Sequence, residues 1–142
     1  MLELPIAASG LSILASLLSI GRSVKDLMAT QNLSTDQALD KFKGNASGTN
    51  AEVLAMKGSD SAIKSIVIIP GQLLDQLVSE INGCVDRQVE ARKKAKNQVG
   101  KDKADRAAAV CVCSGLGSIK LHNSGKLPEG TLRDLWKAYG CN

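Results

Sequence analysis

The sequence predicts an all-α fold, a compact bundle of about four to six helices in a single domain spanning 1–142. Two observations carry this. Nearly half the residues are hydrophobic, yet rings are confined to Phe42, Trp136 and Tyr139; a core of Leu, Ile, Val and Ala suits packed helices better than strands, which favour aromatic and β-branched residues. The stretch SGLSILASLLSIGRS sets Ser9, Ser12, Ser16, Ser19 and Ser23 at alternating steps of three and four, with Leu, Ile, Ala or Gly in most of the gaps. Residues so spaced share one helical face.

That first helix is expected over 4–30, because Asp26 and Thr30 extend the polar stripe and Pro5 suits a first turn. Being apolar almost all round, it belongs in the centre of the fold, with Leu14 and Leu18 buried. Next, Ser34 with Gln37 three residues on has the spacing of a capping box, opening a short helix through Phe42. KGNASGTN (43–50) reads as a turn, and a further segment starts near Ala51, broken at KGSDS. In IKSIVIIPG four consecutive β-branched residues, Ile66 to Ile69, make a small two-stranded element near 64–69 competitive, with AVCVC as its only partner.

Leu73, Leu74, Leu77, Val78, Ile81 and Val85 then outline an amphipathic helix. It runs into a charged segment, and Gly100 divides it from a helix over about 101–122 that Gly115 and Gly117 weaken. The last helix begins at Pro128, presents Leu132, Leu135, Trp136 and Tyr139 on one face, and stops at Gly140.

The chemistry-bearing residues form no catalytic signature, so the chain reads as non-enzymatic. Cys84, Cys111, Cys113 and Cys141, with His122, contain the makings of a Cys₃His zinc set, but only one Cys-x-Cys is close in sequence. The preferred reading is buried thiols; disulfides require an oxidising compartment. The start MLELP carries an acid and no base precedes Arg22, unlike a secretory signal, so a cytoplasmic location is expected. No cofactor or metal is called for. SAIK (61–64), GLGS and NSGK are fragments of longer enzyme and phosphate-loop motifs whose companions are missing.

Between Asp86 and Arg106 eight Lys or Arg face four Asp or Glu. Arg92, Lys93, Lys94, Lys96, Lys101 and Lys103 form a patch suited to an anionic partner. An anionic membrane fits it better than nucleic acid, since no ring lies nearby for base stacking. Interleaved acids leave a solvated face as the plain alternative. The serine stripe admits two readings: a seam for close packing or assembly, or a wet edge. As a span, residues 4–20 give about 25 Å of helix, short of a roughly 30 Å hydrocarbon core.

MLELPIAASGLSILASLLSIGRSVKDLM resembles the start of HeLo-like N-terminal domains, helical death-inducing modules of fungal immune receptors, in its acidic opening, its Gly-, Ala- and Ser-rich apolar helix and the basic transition at Gly21, Arg22, Ser23 and Lys25. The resemblance implies an α-helical bundle whose first helix acts on membranes after oligomerisation. The expected function is therefore an effector or signalling module in immunity or cell death that self-associates and associates with membranes. Ser9, Ser12, Ser16, Ser19, Ser23, Leu14 and Leu18 would form its assembly or membrane surface. The competing expectation is a soluble binding protein, such as an immunity protein, adaptor or subunit, with that helix buried. Its partner would be a second copy or another protein.

Overall fold

A computed structural model describes residues 7–142, with side chains from Gly10 onward. Among the described residues there are seven helices and no strand: α1 Ala7–Gln31, α2 Thr35–Asn45, α3 Gly48–Leu54, α4 Ser59–Val67, α5 Gly71–Lys94, α6 Gln98–His122 and α7 Thr131–Ala138. The expected start of the first helix at 4, and the placing of Pro5 in its first turn, fall outside the described residues. The all-α class is as the sequence predicts, with one or more extra short helices because 43–50 is mostly helical and only 46–47 separates α2 from α3.

α1 is the axis of the bundle, and α2, α3, α4, α5 and α6 all pack on it. Leu11, Leu14, Leu17, Leu18 and Val24 have no exposed surface, and Ile20 has almost none. It shares the greatest length, 25 residues, with α6. The chain leaves it through Asn32 in the left-handed region, and the Leu33 amide bonds the Met28 carbonyl, closing the last turn. The capping box is formed: Ser34 Oγ accepts from the Gln37 amide, and Gln37 Oε1 accepts from the Ser34 amide.

The competing strand does not form. Ile66 and Val67 close α4, and the buried positions Ala62, Ile63, Ile66 and Ile69 recur at helical rather than alternating spacing. AVCVC lies inside α6. The run ends as a helix because Lys25 of α1 reaches across to its last carbonyls: Nζ donates to Val67 O at 2.9 Å and to Ile69 O at 2.5 Å. A cation at a helix C-terminus satisfies otherwise unpaired acceptors and suits the dipole.

Glycines set how closely the helices approach. Gly21 lies against Ile66, whose Cγ2 and Cβ occupy the place a Cβ at 21 would need. Gly115 lies inside an unbroken α6 for a packing reason: a Cβ there would sit 2.9 Å from Ile81 and 2.9 Å from Leu14, so it lies where α1, α5 and α6 meet. Gly100 lies inside α6, and the break falls at 95–97 instead, where Asn97 caps α6 by accepting from the Gly100 amide.

At the far end, α7 stops as predicted at Gly140, which has positive φ. The Gly140 amide bonds Lys137 O and the Cys141 amide bonds Trp136 O, the paired bonds of a Schellman motif. Leu132 and Leu135 are fully buried, whereas Trp136 is only partly covered and Lys120 lies over its ring at 4.5 Å. Tyr139 packs on Gly10, where any Cβ would collide with the phenol. Burial pushes its hydroxyl above the ordinary value, partly offset by a hydrogen bond with the Gly10 backbone.

Gly21→Ala should therefore lower stability by about 1–3 kcal/mol from overpacking, against at most about 1 kcal/mol of regained helix propensity. Ile66 is β-branched and helical, so its Cγ2 has little freedom to move aside. Ser23→Ala, at an exposed position of the same helix, should be almost silent in the same urea titration.

Candidate interaction surfaces

The serine stripe lies along the outer edge of α1. Ser12 and Ser23 are exposed, Ser16 and Ser19 are half-buried, and the Ser9 side chain is outside the described residues. The closest helix approaches among the described residues are made at Gly10, Gly21 and Gly115. Leu14 and Leu18, grouped with the serines on sequence grounds, point the opposite way and are wholly buried. In this conformation they belong to the core, since each lies two residues from Ser16, about 200° round a helix of 3.6 residues per turn.

The basic residues gather at the tip of the hairpin formed by α5 and α6. Beyond Cys84, α5 buries no residue fully, and α6 buries only Ala104 before Ala108, so the tip projects past the main core. Arg92 is not free there: its Nε lies 3.1 Å from Asp105, tying the two helices together. Lys94 pairs with Glu90 at 3.5 Å. Lys93, Lys96 and Lys103 are exposed, Lys101 is half-buried, and none of the four makes an ion pair among the described residues. Val99 stands 74% exposed at the apex. The tip is thus an apolar point ringed by lysines with no ring for base stacking.

The cysteines overturn the thiol reading. Cys84 is bonded to Cys111 and Cys113 to Cys141, leaving none free. The first bridge joins α5 to α6 where the hairpin leaves the core; the second ties the C-terminal segment to α6. Cys141 reaches its partner because the Schellman turn at Gly140 directs it inward, where it is 4% exposed. The even cysteine count was the only sign of this in the sequence, since the pairing depends on the antiparallel register of α5 and α6. With the thiols consumed, the Cys₃His set does not assemble, and no cluster of three His, Cys, Asp or Glu suited to a metal occurs among the described residues.

The remaining motif fragments are structural. Lys64 of SAIK pairs with Asp36 at 2.9 Å, GLGS lies within α6, and Asn123 of NSGK donates to Ser65 O at 2.9 Å and Ile119 O at 2.8 Å. No described helix is long and apolar enough to cross a membrane. The chain matches no protein-family model, no curated protein and no solved structure.

Each bridge closes a loop of nearly thirty residues, with partners 27 and 28 apart. On loop entropy each should contribute about 3.5 kcal/mol. Cys113→Ala/Cys141→Ala should lose about 2–4 kcal/mol of unfolding free energy in urea. Reductant should bring the native chain down by the loss of both bridges and leave a variant lacking all four cysteines unmoved.

Proposed function

We propose that this chain is a helical interaction module that acts by binding: it self-associates, and it engages an anionic lipid surface through the lysine-ringed tip of the α5–α6 hairpin. The observation that carries the reading is the combination at that tip of unpaired, exposed lysines with an exposed Val99 at the apex. Lysines attract acidic headgroups at about 1 kcal/mol each close to the surface, and an apolar apex rewards contact with the interface. In this reading α1 is the core and not the membrane element. The two disulfides support action in an oxidising compartment, in place of the cytoplasm expected from the sequence.

A second reading keeps the first helix as the membrane-active element, released upon assembly into an effector of immunity or cell death. One observation favours it: both cross-links lie between 84 and 141, so no covalent bridge holds α1 to α4 on the rest of the fold. Its cost is large. Withdrawing the six side chains between Leu11 and Val24 that are at or near zero exposure forfeits roughly 9–18 kcal/mol, against a gain of about 2–4 kcal/mol on inserting the same six.

Co-sedimentation with vesicles separates the two. Hairpin docking predicts binding to phosphatidylserine-containing but not neutral vesicles, weakened by salt and without release of trapped dye. Lys93→Gln/Lys96→Gln/Lys101→Gln/Lys103→Gln should cut it by more than tenfold. Undiminished binding by that variant would defeat hairpin docking, and dye release would favour the second reading. Salt-sensitive binding to single-stranded DNA but not to acidic vesicles would replace lipid with nucleic acid.

A further inference from the structure

The outer face of the α5–α6 hairpin sets exposed apolar side chains beside charged ones and is not filled. Three of the five large hydrophobics left exposed among the described residues lie on these two helices' outer stripes: Leu73 at 45%, Val110 at 69% and Leu121 at 78%. Two shallow cavities of about 170 and 280 Å³ run between the helices and share Leu77 and Glu80 as lining. Glu80 and Arg87 stand exposed on the same stripe of α5, seven residues apart, and neither makes an ion pair within the chain. Gly83, half-buried, sits midway between them.

We propose that this face is a two-fold interface with a second copy of the chain, deepening the self-association on which it rests. A two-fold axis set at the level of the Cys84–Cys111 bridge lays α5 antiparallel on its mate and α6 on its own. Residues equally far from the axis then meet, so Glu80 faces the partner's Arg87 and Arg87 faces the partner's Glu80. Gly83 lies at the axis with no side chain of its own; the place a Cβ would take is approached only by Arg87 Nη1, at 3.3 Å, a flexible group that swings off to meet the partner's Glu80 and leaves room for close backbone approach. Because α5 spans 71–94, its midpoint falls beside Gly83, and the two copies overlap along the whole helix.

The same axis makes α6 complementary to itself. Val110 falls opposite the partner's Ser114, and Leu121 opposite the aliphatic stem of the partner's Lys103, so large meets small and apolar meets methylene. A parallel pairing would instead set Glu80 against its own copy, a like-charge contact costing several kcal/mol. An acid and a base balanced about one glycine is what an isologous contact requires; a foreign partner would not require it. Charge self-complementarity therefore selects a second copy as the occupant.

Sedimentation equilibrium of the disulfide-intact chain tests this. The native chain should dimerise, and Glu80→Arg or Arg87→Glu alone should weaken dimerisation at least tenfold, each placing two like-charge pairs in the contact. Both residues are exposed, so the thermal midpoints should hardly move. Mixing the two single variants should restore a mixed dimer of nearly native affinity, because each charge again meets its opposite; the double variant should dimerise with itself. A native chain still monomeric at about 1 mM, the weak end of specific association, would overturn both the face and the self-association reading. A native dimer indifferent to the single reversals, or reversals not rescued by mixing, would overturn this face alone.

Discussion

The burial of α1 is the constraint on which the rest of the fold depends. With six of its aliphatic side chains between Leu11 and Val24 at or near zero exposure, it supplies roughly 9–18 kcal/mol of hydrophobic stabilisation, as much as the whole net stability of an ordinary domain. α2 to α6 are each placed by contact with it, and α7 packs in turn on α4 and α6. Gly21 lets Ile66 of α4 come close, Gly115 lets α6 settle between Leu14 and Ile81, and Lys25 holds the end of α4 by its carbonyls. A chain this poor in rings reaches a dense core by bringing backbones together at glycines instead of filling space with aromatic volume.

The other end of the chain is closed by chemistry that the core alone does not supply. The Schellman turn at Gly140 carries Cys141 back to Cys113 and holds Tyr139 across Gly10, so the C-terminal segment covers the start of the described part of α1. The Cys84–Cys111 bridge pins the hairpin where it leaves the core. Turned outward are the serine edge of α1, the lysine-ringed tip and the outer α5–α6 face, and the last two carry Val99, Leu73, Val110 and Leu121, four of the five large exposed hydrophobics among the described residues. The exposed ion pairs, such as Arg22–Asp75 and Lys64–Asp36, add little to stability by comparison.

Much of the helical plan was legible. The 3–4 stripe marked α1, the Ser34–Gln37 spacing marked the entry to α2, and Gly140 marked the end of α7, because each signal is local to a few neighbouring residues. The strand that competed near 64–69 does not form because β-branched propensity is outweighed by a helical burial pattern and by Lys25, more than forty residues away, capping the run. The disulfides were misread because their pairing is a product of helix register. In the basic cluster Arg92 and Lys94 are engaged by Asp105 and Glu90 while Lys93, Lys96, Lys101 and Lys103 are not paired among the described residues, a distinction that only side-chain geometry makes. Leu14 and Leu18 were rightly expected in the core yet could not also serve the serine edge. Glu80, Gly83 and Arg87 carried no signal at all until α6 was placed beside them.

Native-state hydrogen exchange, read residue by residue with the disulfides intact, tests the central role of α1 most directly. If α1 is the axis of the bundle, the amides from Leu11 to Val24 should exchange only through global unfolding, with the same opening free energy as the buried stretch of α6 from Val112 to Ile119. Release of α1 at a distinctly lower free energy, while α5 and α6 remain protected, would contradict the account and make the first helix a separable element.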